Sequence, residues 1–300
     1  MTGMLFFKPT YRYGVFLVLF SGLCWSSIGL GVRFIEVANV WQILFYRSLA
    51  LTPFLFLIIA ARHKGRPFPV IRKTGLPGLI GALALVCAFA GAIFAIQTTT
   101  VANAMFLFAA APFLAALLGS LMLRERVRTA TWWAMILALA GIITMVWEGI
   151  SLGQMSGNIA ALISALGFGV FTITLRWRKL DDMMPTVFLG GVLAIIVSAT
   201  ICRLAGFSLA LPAQDILISL SLGVFQVGTG MALYTMGSRV VPAADLALLS
   251  MTEVVLGPFW VWIFLGETAS AYTLLGGAVL LVAIAGNALS GLRHKPVPVL

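Results

Sequence analysis

Long apolar segments alternate with short polar ones along the chain. Ten of the apolar segments run for about 20 residues, the length of an α-helix that crosses the hydrocarbon core of a bilayer. Within each segment the apolar residues are continuous rather than alternating, which excludes the strands of a membrane β-barrel. The pattern therefore predicts an all-α integral membrane protein. The predicted transmembrane helices are residues 13–33, 40–61, 75–96, 101–123, 130–148, 157–175, 184–206, 214–236, 242–264 and 271–292.

The composition agrees with this pattern. Of the 300 residues, 61% are hydrophobic and 9% are charged, and the mean hydropathy is +1.09. A soluble domain carries far more charge. The first apolar segment follows Lys8 and Arg12, as the core of a signal peptide does, but it is longer than such a core and has no A-x-A-like cleavage site. We therefore expect it to be the first transmembrane helix.

The net charge of +10 would suggest a nucleic-acid partner if the chain were soluble. Here the positions of the basic residues indicate a lipid bilayer instead, because short cytoplasmic loops of membrane proteins collect Lys and Arg. The pattern predicts that the N- and C-termini are both cytoplasmic. Of the 19 basic residues, only Arg33 and Arg203 lie on the predicted outer side, and Arg47 lies inside the second helix. The others, on the predicted cytoplasmic side, are Lys8, Arg12, Arg62, Lys64, Arg66, Arg72, Lys73, Arg124, Arg126, Arg128, Arg176, Arg178, Lys179, Arg239, Arg293 and Lys295.

The second half of the chain is faintly similar to the first half. When residue 101 is placed over residue 243, VANAMFLF matches AADLALLS, and Glu125 matches Glu267. Nearer the start of each half, Arg33 matches Arg176. Chance similarity between apolar helices is the alternative explanation. Because each half has an odd number of helices, a genuine repeat enters the membrane in opposite orientations. The sequence therefore predicts two inverted five-helix repeats, residues 1–150 and 151–300.

Three segments carry a resemblance to a known family. They are WSS at residues 25–27, TTTVANAMFLFAAAPFLAALLGSLMLRE at 98–125 and VPAADLALLSMTEVVLGPFWVWIFLGE at 241–267. Together with ten helices in two halves, they resemble the drug/metabolite transporter superfamily in its ten-helix EamA-like branch, and more narrowly its bacterial aromatic amino-acid exporters. The resemblance implies a bacterial inner membrane and a central cavity lined mainly by helices 1, 3, 4, 6, 8 and 9. Because Pro112 matches Val254, we expect the fourth and ninth helices to bend differently.

A carboxylate in the ninth predicted helix is the strongest candidate for chemistry. Glu253 lies roughly 20 Å from either end of its apolar run, at about 1.5 Å per helical residue. Pro258 also leaves the carbonyl group of Val254 without its helical donor. A charged residue inside a membrane indicates a functional site. The alternative is an inert, protonated carboxyl that bonds a neighbour. The residues that share its helical face by spacing are Ser250, Gly257 and Trp260.

Aromatic and polar residues on the helices that the resemblance assigns to the cavity complete the candidate site. The aromatic candidates, whose rings suit a flat, apolar solute, are Trp25, Phe89, Phe168, Phe225 and Trp260. The polar candidates, which offer hydrogen bonds to a solute, are Gln97, Asn103, Gln226 and Tyr234. For each of these residues, packing against a neighbouring helix is the alternative.

Other charged and reactive residues indicate architecture rather than chemistry. Arg47 lies near one end of the second helix, so we expect its side chain to extend to the membrane surface or to pair with Glu36. We expect Glu125 and Glu267 to stabilise the N-termini of the helices that follow them. The 3 cysteines are far apart and the 2 histidines lie outside the helices, so no metal or cofactor site is predicted.

The sequence predicts a transporter that exports small organic metabolites, foremost aromatic or other apolar amino acids, by alternating access through a midplane cavity. The alternative is a proton-coupled exporter of cationic drugs or purine-like metabolites. An enzyme is not expected, because no H-E-x-x-H, G-x-S-x-G or P-loop motif is present. The sequence leaves open the direction of transport, the use of protons as a coupling ion, and the choice between monomer and homodimer.

Overall fold

A computed structural model describes residues 10–125, 127–151, 153–178 and 182–292. Within these ranges every regular element is helical, and ten helices are long and apolar enough to span a membrane. The predicted all-α membrane fold is therefore confirmed. The helices are α1 (Tyr11–Arg33), α2 (Val40–Arg62), α3 (Gly75–Thr98), α4 (Val101–Met122), α5 (Thr129–Ser151), α6 (Met155–Arg178), α7 (Met184–Leu204), α8 (Ala213–Gly237), α9 (Ala243–Leu265) and α10 (Ala271–Leu292). The basic residues Lys8, Arg126, Lys179, Arg293 and Lys295 lie outside the described ranges.

Two of the transmembrane segments contain irregular turns. α4 consists of the pieces Val101–Phe108 and Ala111–Met122, joined by a short turn. Pro112 stands in the first turn of the second piece, where the helix needs no N–H donor. α8 changes to a π-helix over Leu222–Thr229. By contrast, α9 continues through Pro258. The fourth helix is therefore interrupted and the ninth is continuous, which agrees with the difference expected from Pro112.

Local capping chemistry sets the ends of the helices. The Asn39 side chain accepts hydrogen bonds from the backbone N–H groups of Trp41 and Gln42, and the Gln42 side chain accepts one from the Asn39 N–H at 2.9 Å. This capping box begins α2. α9 ends at Gly266, whose φ of 66° lies in the left-handed region that glycine adopts without strain. The turn at Gly266 directs Glu267 back towards the bundle.

The helix contacts relate the two halves of the chain to each other. α1 packs on α8 and α9, and α6 packs correspondingly on α3 and α4. α2 packs on α7, and α5 packs on α10. If each helix is replaced by its counterpart in the other half, so that α1 becomes α6 and α5 becomes α10, the same set of contacts is obtained. α5 and α10 meet where a Cβ on either Gly141 or Gly276 would lie 2.5 Å from the other residue's carbonyl oxygen. Small residues thus permit backbone contact between membrane helices.

Loops gather at two opposite ends of the bundle, which we name the Arg33 end and the Arg176 end. At the Arg33 end, the Asp215 carboxylate accepts hydrogen bonds from the backbone N–H groups of residues 36–38, at 3.1, 3.0 and 2.9 Å. This contact fastens the loop between α1 and α2 to the start of α8. The Arg176 end contains the other ends of these helices and most of the basic residues.

Large apolar side chains cover the outside of the bundle. Trp133 and Trp147 are 67% and 73% exposed, as side chains that face lipid are in a membrane protein. Fully buried residues are found on α3 and on its neighbours α2 and α4, where Leu85, Leu51 and Leu107 are 0% exposed. The packed core therefore lies around α3, beside the site described next.

Candidate functional site

A cavity of about 510 Å³ lies between the two halves of the chain, within the volume range of small-molecule sites. Residues of α1, α2, α3, α4, α6, α8, α9 and α10 line it, and this set includes the six helices that the family resemblance implies. The lining follows α6 from Ser164 to Arg176 and α9 from Leu246 to Val254. The cavity therefore extends from the middle of the bundle to the Arg176 end.

The structure brings most of the predicted site residues to this cavity. They are Trp25 of α1, Phe89 of α3, Phe168 of α6, Gln226 and Tyr234 of α8, and Ser250 and Glu253 of α9. The Trp25 and Tyr234 ring centroids are 5.2 Å apart, and those of Phe89 and Phe168 are 6.3 Å apart. Gly230 provides space for Trp25, because a Cβ there would overlap the indole ring. These two ring pairs form walls suited to a flat, apolar group.

Two of the predicted polar residues lie away from the cavity. Gln97 donates from Nε2 to the Ala38 carbonyl oxygen at 3.0 Å. Asn103 donates from Nδ2 to Thr99 Oγ1 at 3.1 Å and to Asn158 Oδ1. The structure therefore corrects the prediction that Gln97 and Asn103 line the cavity, because contacts between helices and loops near the Arg33 end bind their amide nitrogens.

Two of the predicted aromatic residues also lie outside the lining. Phe225 is 67% exposed on the outer surface of α8, whereas its neighbours Gln226 and Val227 line the cavity, because each step along a helix turns the side chain by about 100°. Trp260 donates from its indole nitrogen to Ser26 Oγ at 2.9 Å and so fastens α9 to α1. The predicted cavity positions of Phe225 and Trp260 are corrected accordingly.

Glu253 lies on the cavity wall without a basic partner. Its side chain is partly exposed, and it forms no ion pair within the described residues. Tyr234 and Ser250 line the same cavity as Glu253. α1 packs against α9 beside Glu253, because a Cβ on Gly22 would be in van der Waals contact with the Glu253 backbone nitrogen, at 3.6 Å. The carboxyl group is therefore directed at the cavity and available to a solute.

Arg47 is a cavity residue that the sequence analysis missed. Its side chain is 1% exposed, and its Cζ lies 4.4 Å from the centroid of the Phe89 ring. The expectation that Arg47 reaches the membrane surface or pairs with Glu36 is wrong, because this part of α2 packs against α3 and α8. A Cβ on Gly223 of α8 would overlap the Arg47 carbonyl oxygen. The available signal was the apolar run around Arg47, since charged residues inside membrane bundles usually face the interior.

An ion pair between the two halves holds the Arg33 end together. Arg33 Nε lies 2.8 Å from Glu267 Oε2, and the two side chains are 26% and 20% exposed. Arg33 Nη2 also donates to the Thr99 carbonyl oxygen at 2.8 Å, and Glu267 Oε1 accepts from the Val101 N–H at 2.7 Å. Glu267 therefore caps the start of α4, which corrects the expectation that it stabilises the helix following it.

The Arg176 end has a corresponding ion pair that is more exposed. Arg176 Nη1 lies 2.9 Å from Glu125 Oε2, and the two side chains are 51% and 42% exposed. Arg176 also lines the cavity, so this pair stands at its rim. The residues of the two pairs are those that the predicted repeat matches with each other, Arg33 with Arg176 and Glu125 with Glu267.

Known transporters are similar to this chain in sequence, and a solved structure is similar in fold. The model of the EamA-like transporter family matches residues 12–147 and 155–289. The pseudopaline exporter CntI of Pseudomonas aeruginosa is 26% identical over 251 residues, which cover 81% of this chain and 84% of that protein. An uncharacterized transporter of Archaeoglobus fulgidus is 27% identical over 282 residues, with 91% and 95% covered. A crystal structure with 17% sequence identity has a TM-score of 0.65 over 95% of this chain and 100% of its own.

Proposed function

Because the chain belongs to the EamA-like transporter family, we propose that it exports small organic metabolites, foremost aromatic or other apolar amino acids. It is a membrane transporter rather than an enzyme. The observation that carries the proposal is the cavity, which has aromatic walls, access to one end of the bundle and a Glu253 that forms no ion pair within the described residues. An aromatic side chain fits against the ring pairs, and an ammonium group finds a counter-charge in Glu253.

The transport cycle exposes the cavity to one end at a time, through two inverted repeats of residues 1–150 and 151–300. The two matches to the family model and the helix contacts that persist on exchange of the halves support this proposal. In the described conformation the Arg33–Glu267 pair holds one end together, and the cavity reaches Arg176 at the other. In the opposite conformation, the Arg176–Glu125 pair tightens and the Arg33–Glu267 pair separates.

The Arg176 end faces the cytoplasm, and the protein lies in the inner membrane of a bacterium. The accumulation of basic residues at this end supports the orientation, because cytoplasmic loops collect Lys and Arg. In this orientation the cavity is open to the cytoplasm, which is the conformation that loads an exported solute. The presence of an exporter among the relatives supports the outward direction.

Proton-coupled export of cationic drugs is the second candidate, and Glu253 favours it. A carboxyl group in a cavity binds a cation when it is ionised and releases the cation when it takes up a proton. Purine-like metabolites belong to this alternative as well, because they stack on aromatic rings. The two candidates differ in the solute carried and in the requirement for a pH gradient.

Counterflow in proteoliposomes tests the proposal. We expect labelled phenylalanine and tryptophan to accumulate, and a labelled purine and a cationic dye to accumulate less. Glu253→Gln should lower uptake about tenfold or more, because the amide lacks the charge that binds the ammonium group. Glu36→Gln, at an exposed position of the Arg33 end, is the matched control. Unchanged uptake in the Glu253 variant removes this residue from the mechanism, and uptake of the dye alone, driven by a pH gradient, favours the second candidate.

A further inference from the structure

A buried guanidinium group without a hydrogen-bond partner stands in the cavity wall. Arg47 is 1% exposed, yet its Nε and Nη2 donate to no group of the described chain. The Phe89 ring, 4.4 Å from Cζ, attracts the cation but leaves these N–H groups without a conventional acceptor. An unpaired charged donor inside a membrane bundle is strongly unfavourable. The position of Arg47 is explained if an anion completes its contacts.

The acidic residues of the described chain leave Arg47 unneutralised. Glu253 lines the same cavity but forms no ion pair with it. Asp215 binds the backbone N–H groups of residues 36–38, and Glu36 itself is exposed at the Arg33 end. One buried cation and one carboxyl group therefore line the cavity as separate charges. This arrangement matches a solute that itself carries two opposite charges.

Gln226 adds a second polar group without a partner. It is 7% exposed, and its Oε1 is buried with no hydrogen bond from the described residues. It lies in the π-helical part of α8, Leu222–Thr229, and such irregular turns occur frequently at functional sites. Gly223 in the same segment packs against the Arg47 backbone. The π-helical segment and Arg47 thus form one corner of the cavity.

We propose that Arg47 and Gln226 form a carboxylate-binding corner, which selects solutes that carry a carboxylate group. The proposal rests on the proposed function, in which the cavity carries amino acids. The planar guanidinium binds a carboxylate through parallel N–H···O hydrogen bonds. The Gln226 amide donates from Nε2 to the same carboxylate, and its Oε1, which is unpaired within the described residues, accepts from the ammonium group of the solute. Glu253 then binds the ammonium group. The corner favours zwitterions over cationic amines, because Arg47 attracts the carboxylate and repels an unaccompanied ammonium group.

A set of matched phenyl compounds tests the carboxylate-binding corner. L-Phenylalanine carries both charges, 3-phenylpropanoate keeps only the carboxylate, and 2-phenylethylamine keeps only the ammonium group. Each compound is tested as a competitor of labelled phenylalanine in counterflow, and as a ligand that raises the melting temperature of the purified full-length protein. We expect the wild type to bind phenylalanine at least about tenfold more tightly than phenylethylamine, and to be stabilised by phenylpropanoate.

Arg47→Gln should abolish this preference, so that phenylalanine and phenylethylamine compete with similar affinity. Arg47→Lys keeps the charge without the planar fork and should bind phenylpropanoate several-fold more weakly than the wild type. Arg203→Gln removes an exposed cation outside the cavity and is the matched control, with the preference retained. If Arg47→Gln does not fold, the comparison of Arg47→Lys with the wild type decides the question, and equal affinity for phenylpropanoate contradicts the proposal.

The outcomes separate this proposal from the proposed function. In one outcome, the wild type takes up no amino acid, and phenylpropanoate stabilises the wild type but does not stabilise the Arg47→Gln variant. The proposed function then fails and the carboxylate-binding corner stands. If amino acids are taken up but the wild type binds phenylethylamine as well as phenylalanine, the corner is refuted and the proposed function stands. Absence of any stabilisation by phenylpropanoate likewise refutes the corner.

Discussion

The two ends of the bundle contain matching ion pairs in different environments. At the Arg33 end, the arginine and Glu267 are 26% and 20% exposed, and each also bonds the backbone around the start of α4. At the Arg176 end, the arginine and Glu125 are 51% and 42% exposed and stand at the rim of the cavity. The same pair of residue types is therefore fixed by its neighbours at one end and surrounded by open space at the other.

This difference shows that the neighbours of an ion pair decide how strongly it holds an interface. An exposed pair contributes about 0–1 kcal/mol. A charged side chain that also bonds the backbone contributes about 1.5–3 kcal/mol per such bond. We therefore expect the Arg33–Glu267 pair to hold its end of the bundle closed more strongly than the Arg176–Glu125 pair holds the other end, which the cavity reaches in this conformation. Variants that break each pair test this expected difference between the two ends.

Breaking the pair at the Arg33 end should have the largest effect. Glu267→Gln removes the ion pair and weakens the cap on the Val101 N–H, so the cavity should open to the Arg33 end about tenfold more often. The measurement is the labelling rate of a cysteine at Ala92, which lines the cavity, by a membrane-impermeant maleimide added to the Arg33 side. The native Cys24, Cys87 and Cys202 are first replaced by serine.

The charge-reversed double variant Arg33→Glu with Glu267→Arg is the control for this prediction. It restores the ion pair between side chains but not the bonds to Thr99 and Val101, so labelling should fall only part of the way back to the parent rate. A labelling rate in Glu267→Gln equal to the parent rate means that this pair does not hold the end together.

Breaking the pair at the Arg176 end should have a smaller effect of opposite sign. Glu125→Gln weakens a contact that the opposite conformation needs, so labelling of the Ala92 position from the Arg33 side should fall about twofold to threefold. Because the cavity already reaches the Arg176 end in this conformation, labelling from the Arg176 side should hardly change. Increased labelling from the Arg33 side would contradict the proposed exchange of the two pairs.

The sequence predicts the fold more fully than the site. Continuous apolar runs identify ten helices because a bilayer requires that length and composition of each. They do not identify the inner face of a helix when both faces are apolar. The sequence therefore predicts that Phe225 and Gln226 both line the cavity, whereas in the structure the Phe225 side chain lies on the outer surface of α8.

Tertiary contacts decide the remaining differences between the predicted and the observed site. Trp260 has a place on the predicted face of α9, but Ser26 binds its indole nitrogen at 2.9 Å. Arg47 was expected at the surface because a long side chain can extend to the membrane boundary. Only the packing of Gly223 and Phe89 around it shows that the guanidinium remains inside. Such contacts join residues that are distant in sequence, and they cannot be predicted from the spacing of residues along one chain.

Added salt should change the labelling rates least, but it should distinguish the ion pairs at the two ends most clearly. Raising the ionic strength from 0.1 M to 1 M shortens the screening length from about 10 Å to about 3 Å, which weakens exposed pairs more than partly buried ones. Within the described residues the Arg176–Glu125 pair forms no hydrogen bond to the backbone, so the change in labelling caused by Glu125→Gln should fade at 1 M salt. Most of the change caused by Glu267→Gln should persist, because the hydrogen bonds to Thr99 and Val101 are short-ranged. Equal loss of both effects would mean that the two pairs contribute only through screened charge, and that the backbone contacts at the Arg33 end do not distinguish the two ends.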